Sequence, residues 1–195
     1  MSAGRNDFVC LPSQTVGPFF HLGLAADPSL GCLVRSETKG ERLRLRVRLF
    51  DGDGAPVPDG LIELWQADSS GKYRHPADAQ EQEADPAFWG FGRLATDANG
   101  VCVFETIRPG RVSDGRGGCQ AAHINLSVFA RGLLARLCTR VYFEGDSSLP
   151  NDSILALVPE SRRATLLARP DAVEPGAWNF DIHLQGEHET AFFDF

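Results

Sequence analysis

The sequence predicts a mainly β chain, an antiparallel β-sandwich core with long loops and one or two short helices. Three observations carry this. Residues 42–50 alternate polar and apolar side chains with period two, the signature of a half-buried strand. Several more apolar runs follow, each bounded by Gly, Pro, Asn or Asp, as in sandwiches. The chain has 195 residues, which fits one all-β domain over 1–195, long enough to bury its own core.

The elements follow in order. Leu43, Leu45, Val47 and Leu49 face inward from the first strand, with Arg42, Arg44, Arg46 and Arg48 between them. Asp51-Gly52-Asp53-Gly54-Ala55-Pro56 turns the chain. Strands are expected at Leu61–Ala67, Val101–Ile107, His123–Ala130 and Leu137–Phe143, and the turn Asp97-Ala98-Asn99-Gly100 leads into the second of these. Trp178 to Gln185 alternates again, placing Trp178, Phe180, Ile182 and Leu184 on one face. One helix is expected over Pro159–Ala168, with Pro early and Arg162 and Arg163 outward. Lys72 to Gly92 is a long polar loop, and long ordered loops tend to carry function. An N-terminal arm, about residues 1–40, carries apolar side chains outside any strand. The tail Ala191-Phe192-Phe193-Asp194-Phe195 raises the same question, and packing on its own core or on a second subunit are both open.

Composition excludes several classes. The net charge of −7 and the lack of a Lys/Arg cluster argue against nucleic acid, and the only locally basic stretch, residues 42–48, alternates with apolar residues. No apolar run approaches the ~18 residues of a membrane span. The first residues lack the apolar core of a secretory signal. The five cysteines, Cys10, Cys32, Cys102, Cys119 and Cys138, form no CxxC pair and read as free thiols of a reducing cytoplasm. No nucleophile motif or phosphate-binding loop occurs.

Residues 46–73 read RVRLFDGDGAPVPDGLIELWQADSSGKY. Phe91-Gly92-Arg93, Thr106-Ile107-Arg108-Pro109-Gly110, Ala122-His123-Ile124-Asn125 and Tyr142-Phe143 follow in order. This succession closely resembles the intradiol ring-cleavage dioxygenases, and the resemblance covers nearly the whole chain. The front, residues 12–19, and the tail, with Gln185-Gly186-Glu187 and Phe192 to Phe195, look like the alpha-type chains of the family's two-chain members. The resemblance implies a β-sandwich and the O₂-dependent opening of a catechol ring between its two hydroxyl carbons. For the two-chain members it implies protocatechuate, a carboxylated catechol, as substrate and 3-carboxy-cis,cis-muconate as product.

In catalytic chains of the family two tyrosinates and two histidines hold Fe(III), hard anionic oxygen and imidazole donors suited to that ion. Tyr73 matches the first tyrosine, but the second, expected after the Pro-Gly turn, is Val112. The His-x-His pair, two side chains on one strand face, has become His123-Ile124-Asn125. The arginine expected three residues before the first histidine is Gln120. The resemblance therefore implies that Tyr73 and His123 are relic ligand positions, that this chain holds no metal and has no catalytic residues of its own, and that Fe(III) sits in a partner beta subunit. His75, His183, His188, Glu187 and Glu189 show no ligand spacing that would replace the lost donors.

What remains for this chain is the interface and part of the substrate pocket. By resemblance Thr15, Gly17 and Pro18, with Arg131 of Phe129-Ala130-Arg131-Gly132, line the partner's site. A guanidinium suits a substrate carboxylate, and glycine and proline shape a close backbone approach. Two other readings stand beside this one. One is an iron dioxygenase complete in itself, opposed by Val112 and Asn125. The other is a stand-alone β-sandwich binding or scaffold domain that has lost catalysis.

Overall fold

The computed structural model describes residues 10–17, 19–115 and 117–194. Pro18 and Phe195, both singled out in the sequence, lie outside them. The elements are α1 (Phe19–Leu24), β1 (Arg42–Phe50), β2 (Leu61–Gln66), β3 (Phe91–Ala95), β4 (Val101–Ile107), β5 (Val112–Ser113), β6 (Cys119–Gln120), β7 (His123–Phe129), β8 (Leu137–Phe143), α2 (Glu160–Arg163), β9 (Leu167–Pro170) and β10 (Ala177–His183). The expected strands are present, three of them with the expected bounds.

Strands run in the order β3-β2-β7-β8-β9-β10-β1-β4, and β5-β6 form a separate hairpin. The order turns back on itself at the short β9. Leu43, Leu45, Val47 and Leu49 of β1, Phe104 of β4 and Phe180 and Ile182 of β10 enter one core. Ile62 and Leu64 of β2, Ile124, Leu126 and Val128 of β7 and Val141 and Phe143 of β8 enter the same core. That shared core makes the fold a sandwich. Two pairings depart from the antiparallel expectation, since β1–β10 and β8–β9 are parallel. A parallel pair needs a crossover, and residues 144–166 supply it between β8 and β9.

On the outer face of β1 the arginines meet carboxylates. Arg44 pairs with Glu174, Arg46 lies 3.2 Å from Asp171, and both donors of Arg48 reach Asp181 at 2.6 Å. The basic stretch is thus a neutralised solvent face, each pair worth about 0–1 kcal/mol.

The helix expected over 159–168 is a correction. Only Glu160–Arg163 is α-helical, Ala164–Leu166 tightens into a 3₁₀ turn, and Leu167–Pro170 is β9. Leu166 and Ala168 are buried, and β9 pairs with β8 and β10, so sheet pairing overrides the local helical pattern. Pro170 ends the strand, where its missing N–H costs least.

A second cluster, with Tyr142, Leu155, Val158 and Leu166, packs behind β8 around the buried Asp152. Asp152 accepts from Ala121 N (2.7 Å), Leu155 N (2.7 Å) and the Tyr142 hydroxyl (3.0 Å). The tail packs on the chain itself. Phe193 N donates to Cys138 O at 2.8 Å, Thr139 Oγ1 donates to Ala191 O at 2.8 Å, and Phe192 and Phe193 pack against the two cores. The five cysteines are free thiols. Among the described residues no helix is long and apolar enough to cross a membrane.

Phe193→Ala lowers the folding stability of the isolated chain by about 1–3 kcal/mol, read from urea unfolding followed by circular dichroism. An unchanged midpoint would show that the tail does not anchor on this chain's core.

Candidate functional site

The turn after β2 builds the first cluster. The buried Asp68 accepts from Ser70 N (2.8 Å) and Lys72 N (3.1 Å) through Oδ1 and from Asp85 N (2.8 Å) through Oδ2. Gly71 has φ +86°, and a Cβ there would meet Arg111 O at 1.9 Å, so only glycine allows this approach. Gly110 N donates to Asp68 O at 2.8 Å. These contacts bring Tyr73 beside Val112. The long loop is ordered by its own polar groups: Lys72 Nζ donates to Asp78 O (2.6 Å) and Gln80 O (2.9 Å), and Asp78 accepts from Tyr73 N at 2.8 Å.

Tyr73, His123 and Asn125 come together. The Tyr73 hydroxyl lies 3.2 Å from His123 Nε2, and Asn125 Nδ2 donates to it at 3.0 Å. His123 Nδ1 is 2.8 Å from Ala121 O. A carbonyl can only accept, so Nδ1 carries the proton, Nε2 accepts, and the Tyr73 hydroxyl donates to it. Burial, and then the positive charge of Arg140, lower the His123 pKa to about 4. Burial also raises the Tyr73 pKa. The group is therefore a neutral, internally bonded trio, with Trp65 stacked on Tyr73 at 5.8 Å.

Arg140 is a residue that sequence reasoning missed. It lies across from Asn125 in the β7–β8 register, and its Nη1 donates to Gln120 Oε1 at 2.7 Å. The cation expected at position 120 is thus carried by a neighbouring strand. A buried arginine in the pattern of β8, LCTRVYF, was the signal available.

These residues do not fit a ferric ion. One phenol is held protonated and one imidazole is committed to hydrogen bonds. The third position offers an amide, the fourth the side chain of Val112, and a guanidinium already supplies positive charge nearby. Fe(III) requires anionic oxygen and imidazole donors that this set lacks. Among the described residues no three His, Cys, Asp or Glu side chains gather elsewhere. Above the trio lies an open cleft of about 640 Å³, lined by Trp65, Tyr73, His75, Gln80, Val112 and Ser113 among others.

The second cluster sits at the other end of β7. Thr15 Oγ1 accepts from Gly132 N at 2.8 Å, joining the N-terminal arm to the residue after Arg131. Phe20 of α1 packs on Phe129 with ring centroids 5.6 Å apart. Gly17 O accepts from Phe20 N at 3.0 Å. Arg131 Nε lies 2.8 Å from Asp59 Oδ2, and its side chain is 70% exposed. Leu11, Phe19, Leu22 and Leu134 are exposed on the same segments. Thr15, Gly17 and Arg131 are thus brought together. Arg131 lies eight residues beyond His123, roughly 25 Å along an extended chain, so it does not face the Tyr73 cluster.

Residues 16–186 match a protein family described as "Dioxygenase". The chain is 40% identical to the protocatechuate 3,4-dioxygenase alpha chain of Burkholderia cepacia, over 94% of this chain and 96% of that one. It is 36% identical to the corresponding beta chain of the same organism, over 91% of this chain and 77% of that one. The dioxygenase domain of a carbohydrate-binding protein fusion from Streptomyces sp. SirexAA-E is 26% identical, with a TM-score of 0.60 over 92% of this chain and 99% of that one.

Two outcomes test the Tyr73 cluster. Unfolded histidine titrates near 6.5 and folded His123 near 4, so between these values the unfolded chain binds the extra proton. Stability from this group is therefore present above pH 6.5 and lost as pH falls towards 4, by at most about 1.4 kcal/mol per pH unit. Urea midpoints at pH 7 and pH 4.5 fall closer together in His123→Asn; an unaltered slope would contradict the buried neutral imidazole. Tyr73→Phe leaves His123 Nε2 and Asn125 Nδ2 without their partner and costs about 1–3 kcal/mol in the same titration at pH 7.

Proposed function

Since this chain belongs to the dioxygenase family, among its intradiol ring-cleavage members, we propose that it is the alpha, non-iron subunit of a protocatechuate 3,4-dioxygenase. In this reading a beta subunit holds Fe(III), and the assembled enzyme cleaves protocatechuate with O₂ to 3-carboxy-cis,cis-muconate, a step of aromatic catabolism towards β-ketoadipate. The alpha chain supplies interface and part of the substrate pocket, and αβ pairs assemble further. The observation that carries the reading is the division of one strand. The incomplete donor set lies at one end of β7, and an exposed arginine with its arm lies at the other, a placement that supports a site shared with another chain.

Arg131 offers charge-assisted hydrogen bonds to the substrate carboxylate. Thr15, Gly17 and Pro18 line the same pocket. Of the arm, about residues 1–40, the segment with the exposed Leu11, Phe19 and Leu22 packs on the beta chain, while Leu33 and Thr38 are buried in this chain itself. Residues 1–195 act as one domain, working in the cytoplasm, where five free thiols stay reduced. A stand-alone scaffold role leaves the exposed Arg131 and its arm without a purpose.

Expressed alone, the chain carries no stoichiometric iron and no ring-cleavage activity. Co-expressed with a beta-type chain it enters an active, iron-containing complex, measured by metal analysis and by loss of protocatechuate absorbance. Iron and activity in the lone chain would overturn the reading. In the complex, Arg131→Ala raises KM for protocatechuate roughly 10- to 100-fold, the loss of a charge-assisted bond worth about 1.5–3 kcal/mol, without changing iron content.

A further inference from the structure

Asp59 is the one non-glycine residue with positive φ among the described residues, at +62°. It sits in Val57-Pro58-Asp59-Gly60, with proline second and the left-handed residue third, the pattern of a type II turn. Glycine or asparagine ordinarily takes that third place, and aspartate there carries backbone strain. The surroundings hold the turn in this shape. Thr96 Oγ1 donates to Val57 O and accepts from Gly60 N, both at 2.8 Å, and Thr96 N donates to Gly60 O at 2.8 Å. A Cβ on Gly60 would meet Leu49 Cδ2 at 2.6 Å, so a side chain at that position would require Leu49 to move. Strain kept in this way clusters at functional positions.

The sheet register shows what the strain accompanies. Leu61 pairs with Phe129 in the antiparallel β2–β7 ladder. Continuing that ladder outward sets Gly60 opposite Ala130 and Asp59 opposite Arg131. The Asp59 carboxylate lies 2.8 Å from Arg131 Nε, one edge of the guanidinium, and Arg131 has no other ion pair among the described residues. Thr15 Oγ1 fixes the backbone of the next residue, Gly132.

We infer that Asp59 is the positioning residue of Arg131, holding its Nε edge so that the remaining N–H donors are presented to the substrate carboxylate in the site shared with the beta chain. The inference rests on the subunit reading above. A free arginine side chain must be ordered when it binds, and a carboxylate already on Nε removes that cost in advance. The pair is also exposed, so the carboxylate only partly offsets the charge that Arg131 shows to an anion.

The test uses the assembled αβ complex with D59G, D59N, R131A and D59G/R131A alpha chains. D59G removes the carboxylate and relieves the backbone, so it folds. D59N removes the charge but keeps the size of the side chain, in a residue that tolerates the left-handed region. KM and kcat are measured for protocatechuate and for 4-methylcatechol, which lacks the carboxylate. D59G raises KM for protocatechuate about 2- to 10-fold, with kcat and the 4-methylcatechol constants unchanged, D59N behaves like D59G because the contact is an ion pair, and D59G adds nothing in the R131A background. A protocatechuate KM in D59G that is unchanged or lowered, while R131A raises it, overturns the inference alone. An equal rise with R131A present overturns it too, by showing a merely structural role. An R131A complex with unaltered KM overturns the shared-site reading and the inference with it.

Discussion

The molecule is built on two rows of apolar side chains that must meet in the dark. One row is Leu43, Leu45, Val47 and Leu49 of β1; the other is Ile124, Leu126 and Val128 of β7. Alternation sends every second residue of each strand outward, so burying these rows also decides what the outer faces carry. On β1 the outward residues are arginines matched to Asp171, Glu174 and Asp181. On β7 the in-between positions and the two strand ends carry the chemistry: His123 and Asn125 at one end, Arg131 just past the other.

A buried cluster of tyrosine, histidine and asparagine must satisfy its own polar groups, because an unpaired buried donor or acceptor costs more than a lost bond elsewhere. Here the solution is local. Ala121 O fixes the His123 tautomer, the Tyr73 hydroxyl fills Nε2, and Asn125 turns its amide to the same hydroxyl. Burial keeps the imidazole neutral, and the fixed positive charge of Arg140, bonded to Gln120, acts in the same direction. Asn125 is therefore more than a missing ligand. It donates to the Tyr73 hydroxyl, whose own proton goes to His123 Nε2.

At the far end of β7 the logic is reversed, since polar groups are displayed there. An arginine with a 70%-exposed side chain is of no use to this chain's own cleft. The fold nevertheless holds its side chain by an ion pair to a left-handed turn residue, and its neighbour Gly132 by the N-terminal arm. Such pre-ordering of a surface cation fits a partner that brings a carboxylate to it.

Much of this was legible in advance. β1, β4 and β8 have their expected bounds, and the residues at Val112 and Asn125 could be read from spacing within known motifs. β3 escaped because Phe91-Gly92-Arg93-Leu94-Ala95 is short and holds a glycine. β9 escaped because Ala164 to Ala168 is a good local helix former that pairing turned into a strand. The sequence by itself determined the sandwich, the inward rows and the presence of Val112 and Asn125 at their motif positions, because period and motif spacing are local properties. Tertiary structure alone decided that Arg140 answers Gln120, that the tail packs on its own core, and that Asp59 grips Arg131. Those pairs are joined by strand register across 20 to 72 residues of chain, and register follows from how the whole core closes.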